Sequence, residues 1–344
     1  MSLYRLAQPA LFCLDAERAH ELTIETMKRA PGLFGRVFAA DVPADPVDLL
    51  GLRFPNRIGL AAGLDKNADC VDALGALGFG FVEVGTLTPR PQAGNPRPRM
   101  FRLPDQGALI NRLGFNNKGI DHAVRRLRRR RFDGIVGVNI GKNADTPIER
   151  ATEDYLVCLE KAWPVADYVT VNISSPNTQN LRQLQHGDEL ARLLAALHDA
   201  RERLSDQHGL RRPLLVKVAP DLEAAQIEAL ATTLVESGVD GLIATNTTIA
   251  RPGLEGEQLA DEAGGLSGAP LRGAANAVLA RFRAALGPDF PIIGVGGIDS
   301  GEAAAERRAA GADLLQVYTG FIYRGPELLA AAGRAMLPCN TPIR

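Results

Sequence analysis

RIGLAAGLDK, residues 57–66, decides between two ways of folding this chain. Its first seven residues form an apolar run ending in small residues, which reads as a buried strand. A doubly wound dinucleotide-binding sheet would place G-x-G-x-x-G directly after such a first strand, and AAGLDK stands there instead. Seven more runs of the same kind follow: FVEVGT (81–86), IVGVNIG (135–141), YVTVNIS (168–174), LLVKVAP (214–220), GLIATNT (241–247), PIIGVGG (291–297) and DLLQVYT (313–319). Between them, segments such as ELARLLAALHDARERL from Glu189 and AAQIEALATTLVESG from Ala224 repeat apolar residues at three- and four-residue steps and read as helices. Continuous apolar strands alternating with helices predict a parallel sheet buried on both faces, and eight of them predict closure: an α/β chain folded as a (β/α)8 TIM barrel. Such a barrel takes about 250 residues. The 344 residues therefore hold one barrel, assigned to 46–344, and a small N-terminal helical extension, assigned to 1–45.

In that extension Asp15 reads as a helix N-cap and Pro31-Gly32 as a stop. Ala19, Leu22, Ile24, Met27 and Ala30 spread over more than half of the first helix, whereas Leu33, Phe34, Val37 and Phe38 make one stripe. The segment reads either as a lid packed on the barrel or as an amphipathic pair resting on a bilayer. The run VRRLRRRR, Val124 to Arg131, reads as a solvated helix face or as a site for anionic lipid. A net charge of −1 supplies no field that would gather nucleic acid, so no nucleic-acid partner is expected. Cys13, Cys70, Cys158 and Cys339 lack any metal-ligand spacing, which predicts no metal and a reducing compartment. No apolar run is long enough to span a bilayer, so any membrane contact is expected to be peripheral.

Chemistry in this fold sits at the C-terminal ends of the strands. There stand Ala61-Ala62-Gly63-Leu64-Asp65-Lys66, Thr86, Asn139, Asn172 with Ser174-Ser175-Pro176-Asn177-Thr178, Lys217, and Thr245-Asn246-Thr247. Singly, such residues cap loops or meet solvent. Together they ring one mouth with amides and two cations, which suits a planar ligand bearing amide edges and a carboxylate. Gly264-Gly265-Leu266-Ser267-Gly268, Gly294-Val295-Gly296-Gly297 and Tyr318-Thr319-Gly320 bring main-chain N–H groups to the phosphate station after the last strands. No histidine and no carboxylate pair stands at these ends. Ser175 is the candidate base: a hydroxyl can take a proton already acidified by a neighbouring carbonyl, provided that water or the Thr178 hydroxyl relays its own. A nucleophilic Ser175 would need a His/Asp pair or a G-x-S-x-G elbow, and it has neither.

The motifs GLAAGLDK, GTLTPRPQAGNPRPRMFRL, INRLGFNN, VNISSPNT, ATNTT, GGLSG, IIGVGGI and QVYTGFIYRGP, with ERAHELT near the start, closely resemble the quinone-dependent class (class 2) of dihydroorotate dehydrogenases, in order and nearly end to end. The resemblance implies oxidation of (S)-dihydroorotate to orotate in pyrimidine biosynthesis, with hydride passing to FMN and electrons to a membrane quinone. It implies FMN contacts at Ala61, Ala62, Gly63, Lys66, Thr86, Asn139, Asn172, Lys217, Thr245, Gly268, Gly297, Tyr318 and Thr319. Orotate contacts fall on Lys66, Asn111, Arg112, Leu113, Gly114, Phe115, Asn172, Asn177, Asn246 and Thr247. Thr319 stands where some relatives carry serine, which leaves the hydroxyl and the N–H in place. Ser175, in place of the cysteine of fumarate- or NAD-linked relatives, and the N-terminal extension both point to the quinone class. His20, Arg102 and Tyr318 match positions lining its quinone tunnel. The resemblance further implies a monomer held peripherally on the cytoplasmic face of the inner membrane. Rival readings are another FMN-barrel dihydropyrimidine oxidoreductase and a redox-inactive phosphate-binding barrel.

Overall fold

The computed structural model describes residues 3–178, 181–185 and 187–338, so Cys339 lies outside the described residues. The chain opens with helices α1 (Leu3–Phe12), α2 (Ala16–Arg29) and α3 (Pro31–Phe38). Asp15 caps α2 by accepting from the N–H groups of Glu17 and Arg18. Pro31 follows the end of α2 and starts α3, since its missing N–H costs nothing at the first helical position. The reading of short helices overlooked α1, whose internal Pro9 argues against a helix by composition.

The strands are β1 (Val47–Leu49), β2 (Leu52–Phe54), β3 (Ile58–Leu60), β4 (Phe81–Leu87), β5 (Met100–Leu103), β6 (Ala108–Asn111), β7 (Ile135–Ile140), β8 (Tyr168–Asn172), β9 (Leu214–Val218), β10 (Gly241–Ala244), β11 (Gly265–Gly268), β12 (Ile292–Val295) and β13 (Leu314–Val317). Eight of them close a parallel barrel in the order β3-β4-β7-β8-β9-β10-β12-β13, and β13 pairs back onto β3. Each of the eight apolar runs supplied one barrel strand. The β1–β2 hairpin puts Phe54 into an interior layer with Phe81, Tyr168, Leu215, Ile243, Ile293 and Leu314. Glycine on a neighbouring strand makes room for such rings: a Cβ on Gly137 would lie 2.1 Å from Tyr168 Cζ.

From the sequence, GGLSG was a glycine-rich approach to the phosphate station, with no strand assigned to it. Instead Gly265–Gly268 is β11, the edge of a three-stranded antiparallel sheet β11-β6-β5 beside the mouth. Its partner β6 lies far back in the chain, and pairing at that distance leaves no local signature.

The N-terminal helices pack on the barrel with one side and present apolar side chains outward with the other. Met27 is buried, and Ile24, Phe34 and Phe38 pack against the barrel's core. Phe34 and Phe38 sit 5.4 Å apart, ring to ring. The predicted stripe is nevertheless split, because Leu33 and Val37 face outward together with Leu3, Leu6 and Leu22. The arginine run divides as well. Arg126 donates to the Asp69 carbonyl and Arg130 to the Val165 carbonyl and to Asp167, while Arg125, Arg128, Arg129 and Arg131 are exposed.

Candidate active site

A cavity lies at the C-terminal ends of the barrel strands. On one wall the turn after β3 supplies Ala61, Ala62, Gly63 and Lys66. Asp65 fixes that turn by accepting from the N–H groups of Asn67, Asp69 and Cys70 at 3.2, 2.8 and 2.8 Å. Lys66 is buried, and burial, aided by the nearby Arg99, brings its ammonium down to about 8 against the pull of Glu17. Its Nζ lies 3.3 Å from His20 Nε2. Burial and the Lys66 charge hold His20 well below the usual histidine range, so its ring is neutral. An ammonium only donates, so Nε2 accepts and the ring proton sits on Nδ1.

The floor is a chain of polar side chains at strand ends. Thr86 Oγ1 donates to Asn139 Oδ1 at 2.6 Å, and Asn172 Nδ2 donates to Thr86 Oγ1 at 2.9 Å and to Asn139 Oδ1 at 3.2 Å. Asn246 Nδ2 bonds to Ser174 Oγ at 3.0 Å. Asn139 sits one layer beneath the cavity and orients Thr86 and Asn172 instead of lining the cavity itself. Lys217, beside them, is buried, and its ammonium has neither a hydrogen bond nor an ion pair among the described residues. Burial lowers its pKa and the Glu83 charge opposes that.

The opposite wall is the β8 loop with the β6–α turn. Ser175 is buried, lines the cavity, and its Oγ accepts from the Asn177 N–H at 3.2 Å. Thr178 Oγ1 is buried with no partner among the described residues, so it is not bonded to Ser175. Asn177 is held by Asn111, to whose carbonyl and Oδ1 it donates at 3.1 and 3.2 Å. Asn111, Leu113, Gly114, Phe115, Thr245, Asn246 and Thr247 complete the rim. Arg112 does not join them. Its guanidinium turns away to Glu262 at 2.6 Å and stacks 4.7 Å from the Phe101 ring.

At the far end Gly268, Gly296, Gly297, Tyr318, Thr319 and Gly320 converge. Gly297, at φ 71, has no room for a side chain, since a Cβ would come 2.4 Å from Arg272 Cα. Thr319 Oγ1 donates to Ser267 Oγ at 2.9 Å. Behind this turn the fully buried Arg307 donates to the carbonyls of Val295 and Gly296 at 2.7 and 2.6 Å. From the sequence, Ser267 was placed at the phosphate station without a role for its hydroxyl, and Gln316, Glu83 and Arg307 were missed. Of these, only a charge within the apolar run FVEVGT signalled itself in the sequence.

A second cavity, mostly apolar, lies under α1, α2 and α3. Its polar residues include His20 and Arg102, while Tyr318 lines the first cavity. Arg102 lies 4.7 Å from the Phe12 ring and donates to the carbonyls of Leu11 and Leu14. The turn from Gly63 to Lys66 is the wall between the two cavities, and the Lys66–His20 contact bridges it.

Two features of the first cavity call for a ligand: the unpaired Lys217 ammonium and the buried Gln316 Oε1, which has no partner among the described residues. The pyrimidine edge of a flavin, with carbonyl oxygens and an N–H, answers both. The glycine end offers main-chain amides to a phosphate.

The family model for dihydroorotate dehydrogenase matches residues 46–334. A protein of Paraburkholderia xenovorans called dihydroorotate dehydrogenase (quinone) is 58% identical over 97% of this chain and 99% of its own length. One of the same name from Acidovorax sp. is 57% identical over 97% of each chain. Among solved structures, DHODH from Eimeria tenella in complex with ferulenol superposes with a TM-score of 0.87 at 38% identity, covering 94% of this chain and 91% of that one. The ligand-free form gives 0.84 at 38% identity, covering 92% and 94%.

Proposed function

The chain belongs to the dihydroorotate dehydrogenase family, and from that premise we propose how its residues divide the work. It is a flavoprotein oxidoreductase of pyrimidine biosynthesis that oxidises dihydroorotate to orotate with a quinone as electron acceptor. FMN is the flavin that fits: Lys217 and Gln316 would meet its pyrimidine edge, and Gly268, Gly297 and Thr319 would hold its single phosphate. When bound, FMN accepts the hydride from C6 of dihydroorotate and supplies the electrons for the quinone.

The observation that carries this reading is the buried, unpaired Lys217 on the cavity floor. A cation there stabilises negative charge on the pyrimidine edge. Lys66 pairs with the substrate carboxylate, and Asn111, Asn172, Asn177, Asn246 and Thr247 take the amide edges of its ring. Ser175 removes the proton from C5, a carbon acidified by its neighbouring carbonyl, and gives up its own hydroxyl proton to water at the cavity mouth, since Thr178 is not bonded to it. Arg112, facing Glu262, contributes through its main chain.

The extension, residues 1–45, brings the quinone. Its apolar cavity adjoins the site across the Gly63–Lys66 turn, with His20 and Arg102 as polar contacts. Leu3, Leu6, Leu22, Leu33 and Val37 are exposed on α1, α2 and α3 and suit peripheral attachment to the cytoplasmic face of the cell membrane. No described helix is long and apolar enough to cross a membrane.

Ser175→Ala tests the central step. The variant is expected to keep its flavin while anaerobic reduction by dihydroorotate slows by roughly a hundredfold or more. An unchanged stopped-flow reduction rate would remove Ser175 from the role of base.

A further inference from the structure

Glu83 lies in the middle of β4 with its side chain inside the barrel and no exposed surface, and no step above uses it. Four donors converge on it from other strands. Asn139 Nδ2 reaches Oε1 at 2.8 Å, while Tyr168 OH, Thr170 Oγ1 and Gln316 Nε2 reach Oε2 at 3.0, 3.2 and 2.8 Å. None of the four is a cation.

An ionised carboxylate accepts and never donates, so it dictates how every amide touching it must face. Asn139 turns its NH2 to Glu83 and leaves Oδ1 to receive Thr86 and Asn172. Asn172, its NH2 now committed inward, offers Oδ1 to Ser174 and Asn246. Gln316 gives Nε2 to Glu83, which leaves its Oε1 at the cavity floor without a partner. One acceptor-only group thereby sets the polarity of the amides up to the mouth. Of the titratable groups facing it, Tyr168 is pushed well up by burial and by Glu83 itself, so it remains a neutral donor. The other is Lys217, whose charge Glu83 supports against burial.

We propose that Glu83 is a positioning residue: it fixes the direction of the hydrogen bonds that reach the substrate-facing asparagines. The inference rests on the flavin reading of the cavity.

Glu83→Gln, nearly isosteric, replaces the acceptor-only carboxylate with a group that can face either way, and the flavin-loaded variant is the sample. Its orotate dissociation constant is expected to rise about tenfold, the worth of one well-made hydrogen bond. Where Lys217 is charged, the midpoint potential of the bound flavin rises, because a negative charge has left the floor. A merely structural glutamate would lower the melting temperature and leave these readouts alone. An unchanged orotate affinity or an unchanged midpoint potential overturns the inference. Failure of the unmutated protein to take flavin would instead remove the reading beneath it. Should Glu83→Gln not fold, Glu83→Asp keeps the charge at shorter reach: weaker orotate binding with a near-native potential is expected, and undiminished orotate binding contradicts the proposal.

Discussion

Lys66 sits where the two cavities meet, and its charge depends on pH within an accessible range. Burial lowers its ammonium to about 8, so the free enzyme loses this cation as pH rises through that value. If Lys66 pairs with the orotate carboxylate as proposed, binding requires the charged form, and orotate affinity should be flat below about pH 8 and fall above it. Titration of the bound flavin's absorbance with orotate across this range checks the sign, and Lys66→Met should abolish the inflection. The strand-end asparagines, threonines and lysines were legible in the sequence because a barrel puts functional groups at fixed stations. Glu83 was not: its meaning depends on donors from three other strands, which meet it only once the barrel closes.

Helix α2 is tied to the barrel through charge. Glu17 accepts from Arg99 Nη2 at 2.7 Å, both side chains being nearly fully buried, and Arg97 adds a second contact at 3.1 Å. Burial alone would push the Glu17 carboxyl up, but the Arg99 bonds and charges outweigh it and hold the carboxyl below its ordinary value. Breaking a buried pair by deleting one partner costs about 3–5 kcal/mol. Glu17→Ala should consequently loosen α2. Limited proteolysis is expected to cut within residues 16–29, and quinone-linked turnover should fall more than flavin reduction by dihydroorotate. Equal losses in both half-reactions would separate the helix from the quinone's route. The Asp15 cap and the apolar positions from Ala19 to Ala30 predicted a helix here but not its docking, because Arg99 comes 82 positions after Glu17 in the chain. The β5-β6-β11 sheet was hidden for the same reason, whereas the Asp15 cap was readable because it acts within three residues.

At the scale of the molecule, the eightfold alternation of apolar run and helix sufficed for the barrel, since each strand is continuous in sequence and buried on both faces. The extension was less legible, for a helix that buries one side and exposes Leu6, Leu33 and Val37 on the other carries no single stripe. Replacing those three residues with serine should weaken flotation with vesicles by about tenfold or more per side chain while leaving dihydroorotate-driven flavin reduction intact. Undiminished flotation would place membrane contact elsewhere. The proposed division of the two adjoining cavities makes a stricter demand, that electrons enter through one and leave through the other. Under anaerobic conditions dihydroorotate should bleach the yellow purified protein, and a soluble quinone, but neither fumarate nor NAD, should restore the colour. Recovery with fumarate or NAD and not with quinone, or protein that never holds a yellow flavin, would contradict the account.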